Sequence, residues 1–420
     1  MSGVVIIGGG QAGFEAATSL RSRGYAGEIT IIGDEAGVPY QRPPLSKAYL
    51  HSAPDSDSLE LRPQSYYDEH RIALRCGKPA VDIDRAARTV ELVDGSTLEY
   101  EHLVLATGAR NRTVPIQGAT LDGVHYLRTS AEADRLTAEL NKCSAVVVIG
   151  AGFIGLEVAA AARKKGRRVT VLEAMDRPMS RALSPAMSTY FAALHSDHGV
   201  DLRLSTGVRE IIGGDGRVKG VVTATGENVP ADVVVVGIGV VPNTELAERI
   251  DLVVDNGIVV DELLRTSDDR IYAIGDCAAY PSVSGHGRVR LESVQNAVDH
   301  ARCIAAHITG VSSPYCSVPW FWSEQYTAKL QIAGLATGFD TTVLRGSVED
   351  ETFSVFCFRG SELVGVESIN STRDHMAARK ILALSMPLTP EQASDNAFDL
   401  KSAVAEYKSH KAETIRLVAP

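Results

Sequence analysis

Short, unbroken runs of apolar residues, each followed by a cluster of glycines, are the clearest pattern in the first half of the chain. Val4–Ile7 and Ala145–Ile149 are two such runs. A run without polar alternation is typical of a central parallel strand that is covered on both faces. Apolar residues at helical spacing follow, and they predict helices over Phe14–Leu20 and Phe153–Arg163. The pattern therefore predicts two strand–helix repeats in an α/β fold.

Three glycines join the strand to the helix in each repeat, and they fit the spacing G-x-G-x-x-G. The first glycine permits a tight turn, the second lets a pyrophosphate approach the backbone, and the third lets the helix pack closely on the strand. A second predicted strand follows, and an acid comes after it: Asp34 in the first repeat and Glu173 in the second. A glycine-rich packing turn is the alternative, but all these elements in order favour dinucleotide binding. The glycines are Gly8, Gly10 and Gly13 in the first repeat and Gly150, Gly152 and Gly155 in the second.

Two dinucleotide sites in one chain predict an electron-transfer flavoprotein. The simplest assignment is FAD in one site and a nicotinamide dinucleotide in the other, with electrons passing between the two cofactors. The carboxylate of Glu173 would repel a 2′-phosphate, so the second site is predicted to prefer NADH to NADPH.

Size, charge and cysteine spacing limit the remaining possibilities. The chain has 420 residues, which suggests two or three domains, and its net charge of −10 argues against binding to nucleic acid or to anionic membranes. The apolar run Val233–Val241 is too short to span a bilayer, and no leader pattern is visible, so a cytoplasmic protein is expected. The six cysteines show neither CxxC nor zinc spacing. No metal site is predicted.

Three further segments resemble motifs of the two-dinucleotide flavoprotein reductases, which share the glutathione reductase-type fold. They are LVLATGAR at 103–110, GIGVVPN at 237–243 and TSDDRIYAIGDCA at 266–278. In that family the N-terminal glycine turn binds FAD and the internal one binds NAD(P)H. The segment PYQRPPLSK at 39–47 lacks the redox cysteines that disulfide reductases carry at this position, which excludes a thiol–disulfide relay there.

Three segments closely resemble the oxygenase-coupled, NADH-dependent ferredoxin reductases, a putidaredoxin reductase-like family. They are the same PYQRPPLSK segment, RLESVQNAVDHAR at 290–302 and PWFWSEQY at 319–326. The resemblance spans almost the whole chain. It implies that electrons pass from NADH through FAD to a [2Fe-2S] ferredoxin that serves a cytochrome P450 or an aromatic-ring dioxygenase. Because the chain has no iron–sulfur cysteine set, the cluster must belong to the partner.

The expected architecture is two three-layer, Rossmann-like domains, one for FAD and one for NAD, plus an α+β C-terminal domain with an antiparallel sheet. Alternation of polar and apolar residues in the tail predicts that sheet. The alternating segments are Lys329–Ala333, Thr352–Phe358 and Leu363–Ile369. The predicted boundaries are 1–110 and 242–319 for the FAD domain, 111–241 for the NAD domain and 320–420 for the C-terminal domain.

The resemblance assigns individual residues to the two cofactors. Arg42 suits a pyrophosphate as a bidentate donor, and Asp276 is implied to hold the ribityl chain. A helix is expected to start at Glu292 and to turn the backbone N–H groups around Val294 towards flavin O2. Arg128 is expected to reach the adenine end, with a surface arginine as the alternative. The residues assigned to FAD beside the glycines are Ala12, Asp34, Arg42, Lys47, Ala80, Arg128, Asp276 and Val294, and those assigned to the nicotinamide dinucleotide are Phe153, Ile154, Glu173 and Gly239.

Lys47, Glu157 and Trp322 are the predicted catalytic residues. In the family the counterpart of Lys47 lies beside flavin N5 and pairs with a glutamate, here Glu157; a surface lysine is the alternative. Trp320 and Trp322 are the only tryptophans, and an extended chain puts both on one face. Packing in the core is the default role for such aromatics, whereas the resemblance implies that Trp322 lies against the flavin on the ferredoxin side.

An acidic ferredoxin is expected to dock on a local basic surface that includes Arg302, Lys329 and Lys380, although solvated surface charges are the alternative. The expected assembly is a monomer or a weak homodimer. Two other functions stay open. One is a rubredoxin reductase or NADH oxidase of the same fold, and the other is a redox-signalling protein like apoptosis-inducing factor, which the acidic composition disfavours.

Overall fold

The computed structural model describes residues 3–52, 56–282 and 287–418, and its contacts divide the chain into two compact units. The first unit comprises residues 1–45, 54–112 and 240–317, and the second comprises residues 46–53, 113–239 and 318–420. The division into three domains that the sequence suggests stays a prediction.

A largely parallel sheet forms the core of the first unit. Gly3–Ile7 lies between Ile29–Ile32 and Thr97–Leu105 and runs parallel to both, and Ile271–Ala273 pairs with the other side of Thr97–Leu105. All five residues of Gly3–Ile7 are buried, which is why the strand contains no polar alternation. The main path of strands is Ile72–Arg75, Ile29–Ile32, Gly3–Ile7, Thr97–Leu105, Thr89–Leu92 and Ala80–Asp84.

Two helices, Gln11–Ser22 and Val294–Ile308, pack against each other in this unit. Small buried residues such as Ala16 and Ala301 bring their axes close together. The second helix begins at Val294 rather than at Glu292, because the hydroxyl of Ser293 accepts a hydrogen bond from the backbone N–H of Asn296 and so caps the helix there. The other elements of the unit are the helices Gln64–Glu69 and Glu245–Arg249, the 3₁₀ turns Pro43–Ser46, Ser56–Leu59 and Gly275–Cys277, and the short strands Ala109–Asn111, Val240–Pro242, Ile258–Val259, Ala278–Pro281 and Arg288–Val289.

A second parallel sheet lies in the second unit and repeats the strand–helix–strand arrangement. Ala145–Ile149 is its buried central strand, and Phe153–Lys164 is the helix that follows it. The strands, in pairing order, are Asp201–Arg203, Arg168–Leu172, Ala145–Ile149, Val233–Val236 and Val124–His125. The other helices of this part are Ala48–Ser52, Ser130–Leu140 and Pro185–Asp197, and a small antiparallel sheet contains Val208–Gly214, Arg217–Thr223 and Asn228–Pro230.

The second unit also contains a five-stranded antiparallel sheet, as the alternation in the tail predicts. Its strands pair in the order Trp320–Gln325, Ala328–Gly334, Glu362–Ile369, Thr352–Arg359 and Thr341–Ser347. Thr341–Ser347 is an edge strand that the alternation did not reveal, because most of its residues are at least partly exposed. The helices Thr372–Leu384, Pro390–Ser394 and Leu400–Val418 follow. None of the helices among the described residues has the length and apolar character needed to cross a bilayer.

Candidate functional site

The first glycine turn has room for glycine only at Gly8 and Gly13, and it leaves the start of a helix open. Gly8 has φ 128°, and a Cβ at this position would lie 2.0 Å from the carbonyl oxygen of Ala106. A Cβ on Gly13 would lie 2.0 Å from the carbonyl oxygen of Gly8. Gly10 caps the Gln11–Ser22 helix without a side-chain hydrogen bond, and nothing lies within 4 Å of its Cβ position. An anion such as a pyrophosphate fits this open helix end.

The second turn has the same construction. Gly150 has φ 102°, and its Cβ position lies 2.5 Å from the carbonyl oxygen of Gly237. The Cβ position of Gly155 lies 2.2 Å from the carbonyl oxygen of Gly150, so the helix rests directly on the strand. Gly152 caps the Phe153–Lys164 helix, again without a side-chain hydrogen bond. The partly buried Phe153 and Ile154 form its first turn. A second dinucleotide fits here for the same reason.

The two predicted ribose acids differ in how firmly the protein holds them. Glu173 follows the strand Arg168–Leu172, and its carboxylate accepts hydrogen bonds from the backbone N–H groups of Ala151 at 2.6 Å and Met175 at 2.8 Å. Asp34 is exposed and accepts a hydrogen bond from the backbone N–H of Glu35 at 3.1 Å. Glu173 is therefore tied to the glycine turn, whereas Asp34 has only a local contact of this kind.

Arg42 is paired within the first unit, which the sequence did not predict. Its guanidinium lies 2.6 Å from the carboxylate of Glu35 and 3.2 Å from the hydroxyl of Tyr40, and it sits over the Tyr40 ring at 5.2 Å. These contacts hold the guanidinium in place beside the segment that contains Asp34.

The segment around Asp276 approaches the first glycine turn. A Cβ on Gly275, which has φ 73°, would lie 3.0 Å from the Cβ of Ala12. The backbone N–H of Gly275 donates to Nδ1 of His300 at 3.1 Å, so this buried ring fixes the turn. Burial lowers the pKa of His300 to about 3, which keeps the ring neutral and able to accept. The sequence offered no sign of the role of His300, because it is one helical side chain among several histidines.

Other predicted cofactor residues have fewer informative contacts. Ala80 begins the strand Ala80–Asp84, and Val294 is the first residue of its helix. The backbone N–H of Arg128 donates to the carboxylate of Glu132 at 2.8 Å, and this arginine belongs to the second unit. Gly239 is exposed with φ 98°, and its Cβ position lies 3.3 Å from the guanidinium of Arg181.

Lys47 and Glu157 form an ion pair in the second unit. Lys47 Nζ lies 2.9 Å from Glu157 Oε1, and only 5% of Glu157 is exposed. The hydroxyl of Ser323 donates to the same oxygen at 2.6 Å, and the hydroxyl of Ser46 donates to Glu157 Oε2. Three donors, two from the consecutive residues Ser46 and Lys47 and one from the distant Ser323, therefore converge on one buried carboxylate. The sequence predicts the lysine and the glutamate but neither serine.

The hydrogen bonds continue away from Glu157 along the strand Trp320–Gln325. Gln325 Nε2 donates to the hydroxyl of Ser323 at 3.2 Å, and Nε2 of His195 lies 2.7 Å from Gln325 Oε1. Burial lowers the pKa of His195 to about 4, so the ring is neutral at pH 7. His195 is separated from Gln325 by 130 positions, and no local pattern could have linked them.

The two tryptophans lie on the opposite face of this strand. Their ring centroids are 5.5 Å apart, as expected for side chains two positions apart in an extended chain. Arg379 lies over the Trp320 ring at 4.7 Å, and His375 contacts that ring edge-on. Trp322 is only partly buried. The position of Trp322 relative to a flavin stays a prediction.

Comparison with known proteins gives matches over nearly the whole chain. Residues 2–301 match the family described as pyridine nucleotide-disulphide oxidoreductase, and residues 320–404 match one described as reductase C-terminal. Rhodocoxin reductase from Rhodococcus erythropolis is 67% identical over 411 residues, which cover 98% of this chain and 96% of that protein.

Two solved structures are also similar. The ferredoxin reductase for the CYP199A2 system from Rhodopseudomonas palustris has 49% sequence identity and a TM-score of 0.95, covering 96% of this chain and 100% of that one. The covalent putidaredoxin reductase–putidaredoxin complex has 39% identity and a TM-score of 0.93, covering 97% of this chain and 99% of that one.

Proposed function

The chain belongs to the pyridine nucleotide-disulphide oxidoreductase family, and from that membership we propose that it is an FAD-dependent reductase that passes electrons from NADH to a [2Fe-2S] ferredoxin. The resemblance to ferredoxin reductases, the α/β fold class with a C-terminal antiparallel sheet, and the use of FAD and a pyridine nucleotide are confirmed predictions. Bound FAD supplies the conversion between a two-electron hydride and two single-electron transfers.

The observation that carries the proposal is the pair of glycine turns, each with a helix start that no side chain caps. The N–H groups and the positive end of the helix dipole at Gly10 stabilise the pyrophosphate of FAD. Arg42, positioned by Glu35, is proposed to donate to the same pyrophosphate. Asp34 binds the adenosine ribose, and Asp276, on the turn fixed by His300, binds the ribityl chain.

The second turn binds the nicotinamide dinucleotide. Its helix start at Gly152 faces the pyrophosphate, and Glu173 accepts hydrogen bonds from the adenosine ribose. Because the two backbone N–H groups of Ala151 and Met175 hold the Glu173 carboxylate, it stays close to the ribose and repels a 2′-phosphate. NADH is therefore the proposed electron donor.

Lys47 and Glu157 are proposed to lie beside the reacting part of the flavin, as the resemblance implies. Lys47 brings a positive charge to the site and Glu157 compensates it, so a partly buried lysine is tolerated. No general base is required, since transfer of a hydride depends on alignment and electrostatics.

The proposed partner is an acidic ferredoxin that serves a cytochrome P450 or a dioxygenase. Arg302, Lys329 and Lys380 are exposed and are proposed to help it dock, with Trp322 near the electron path. Arg302 is already paired with Glu15 at 3.1 Å, which reduces the charge that it offers. All six cysteines are unpaired, which suits the reducing cytoplasm, and a monomer or weak homodimer is proposed.

Turnover of the purified holoprotein with NADH under anaerobic conditions tests this function. We expect a [2Fe-2S] ferredoxin to be reduced with a higher kcat/KM than rubredoxin, and oxygen consumption to be slow when air is admitted. A faster reaction with rubredoxin or with oxygen would contradict the proposal and would identify the protein as a rubredoxin reductase or an NADH oxidase, respectively.

A further inference from the structure

A line of buried hydrogen bonds reaches Glu157 from another helix of the second unit. It runs from His195 on the helix Pro185–Asp197 through Gln325 and Ser323 on one strand to Glu157 on the helix Phe153–Lys164. Ser323 and His195 are fully buried, and Gln325 is 1% exposed. Water therefore does not compete for these polar groups, and their mutual geometry matters.

The hydrogen bond from Ser323 to Glu157 determines the direction of the other two hydrogen bonds in this line. The hydroxyl of Ser323 has a single hydrogen, which it donates to the Glu157 carboxylate. Gln325 must then donate to Ser323 through its amide nitrogen, which turns its oxygen towards His195. A neutral His195 consequently carries its hydrogen on Nε2, and its Nδ1 is buried with no partner among the described residues. Every donor points towards Glu157.

We propose that Ser323, Gln325 and His195 are positioning residues that hold the Glu157 carboxylate, and through it the Lys47 ammonium, in one arrangement for hydride transfer. The inference rests on the proposed function, which assigns Lys47 and Glu157 to the flavin. The line is not a proton path, because an amide side chain neither gains nor loses a proton readily. Its effect is to fix the orientation of the carboxylate and to spread its negative charge over the donors.

The fold gives the strand Trp320–Gln325 two separate roles. Alternation places Ser323 and Gln325 on one face together with Phe321. The ring of Phe321 contacts the ring of Phe153, with 4.6 Å between the ring centroids, and Phe153 belongs to the helix that carries Glu157. The tryptophans occupy the other face. A packing role alone would be met by apolar side chains of similar volume, which need no hydrogen-bond partners in a buried site. Polar residues with matched donors at each step indicate that the carboxylate itself is being oriented.

Ser323→Ala in the holoprotein tests the inference, measured by the flavin midpoint potential and by single-turnover flavin reduction with NADH. Loss of one donor leaves more negative charge on Glu157, so the potential is expected to become more negative. Flavin reduction at saturating NADH is expected to slow about tenfold with an unchanged apparent Kd for NADH. In a Glu157→Gln background the Ser323 substitution is expected to have no further effect on the potential.

Ser323→Thr keeps the hydroxyl on a strand that tolerates β-branched residues, and it is expected to restore the wild-type potential and rate. Ser368→Ala is the matched control, because Ser368 is a fully buried serine of the same sheet that accepts a hydrogen bond from Ser354. It is expected to change neither quantity. If Ser323→Ala does not fold, Gln325→Met interrupts the same line without loss of volume and is expected to shift the potential in the same direction.

The proposal is overturned if Ser323→Ala leaves the potential and the rate unchanged while Glu157→Gln alters them. It is also overturned if Ser323→Ala and Glu157→Gln act additively, or if neither substitution moves the potential, since Glu157 then does not act on the flavin. Failure of the proposed function appears differently: wild-type holoprotein would then not transfer electrons from NADH to a ferredoxin.

Discussion

At the scale of single residues, the orientation of a carboxylate decides what it can do. Glu157 has its orientation set by side chains from several elements, whereas Glu173 has its orientation set by backbone N–H groups of the glycine turn and of the next loop. Backbone donors are the more rigid of the two. Glu173 therefore suits a role in selecting between ligands, and Glu157 suits a role in which a neighbouring lysine must stay in place.

Glu173→Gln should weaken the discrimination between NADH and NADPH. The amide can still accept hydrogen bonds from a ribose, but it no longer repels a 2′-phosphate, so the ratio of kcat/KM for NADH to that for NADPH should fall about tenfold. The control is Asp176→Asn, an exposed acid in the same loop, which should leave the ratio unchanged. An equal preference for the two nucleotides in the wild-type enzyme would refute the role of Glu173.

At the scale of elements, both dinucleotide sites depend on a helix that lies almost in contact with a strand. The Cβ positions of Gly13 and Gly155 lie 2.0 and 2.2 Å from the carbonyl oxygens of Gly8 and Gly150. Any side chain there must push the helix away from its strand. The two turns are therefore equally strained by substitution, although they are proposed to bind different cofactors.

Gly13→Ala and Gly155→Ala form a matched pair that separates the two sites. Gly13→Ala should be purified with little FAD, because the helix start moves away from the pyrophosphate, and its absorbance near the flavin band should be largely lost. Gly155→Ala should keep a full complement of FAD but bind NADH at least tenfold more weakly. Loss of FAD in Gly155→Ala with retention in Gly13→Ala would reverse the assignment of the two turns.

A buried glutamate in the C-terminal sheet makes stability depend on pH. Glu367 is fully buried and accepts hydrogen bonds from the backbone N–H of Ser184 at 2.7 Å and from its hydroxyl at 2.5 Å. Burial raises the pKa of Glu367 from its ordinary value to about 7. The folded state thus favours the protonated form. Its stabilisation is present at acid pH and is lost as pH rises towards 7, by roughly 2 kcal/mol between pH 5 and 8.

Glu367→Gln should remove this loss, because the amide resembles the protonated acid at every pH. The variant should melt several degrees above the wild type at pH 8, and the difference should shrink towards pH 5. Glu362→Gln, at the exposed start of the same strand, serves as the control and should melt with the wild type at both values. A difference in melting temperature that is independent of pH would contradict the burial argument.

Local patterns predicted the repeated elements well and the supporting contacts poorly. The strand Ala145–Ile149 has the predicted bounds, because an apolar run ends where burial ends. The helix Gln11–Ser22 is longer than predicted at both ends, since the small residues Ala12 and Gly13 at its start and the polar residues Arg21 and Ser22 at its end give no strong apolar signal. His195 and Gln325 meet only because two distant elements pack together, and sequence spacing carries no information on such a contact.

At the scale of the whole molecule, the protein and its proposed acidic partner carry net charges of the same sign. The chain carries −10, and an acidic ferredoxin would be repelled at long range. Productive association therefore requires local positive charge, and its rate must depend on salt.

Arg302→Glu should slow the reduction of ferredoxin about tenfold at low salt and leave the reduction of ferricyanide unchanged, because that small acceptor needs no docking surface. Arg209→Glu is a close match for a control: Arg209 and Arg302 are exposed by 57% and 60%, and each is paired with a glutamate. Stopped-flow rates at several ionic strengths measure the effect. Equal rates for wild type and Arg302→Glu at every ionic strength would remove Arg302 from the docking surface.

Anaerobic single-turnover titration tests the central claim most directly. Holoprotein is mixed with an excess of oxidised [2Fe-2S] ferredoxin and a limiting amount of NADH, and the flavin and the ferredoxin absorbances are followed together. The account predicts two ferredoxins reduced for each NADH consumed, with flavin reduction preceding ferredoxin reduction. Complete reduction of the flavin by NADH without any reduction of ferredoxin, while the flavin is readily reoxidised by another carrier, would contradict it.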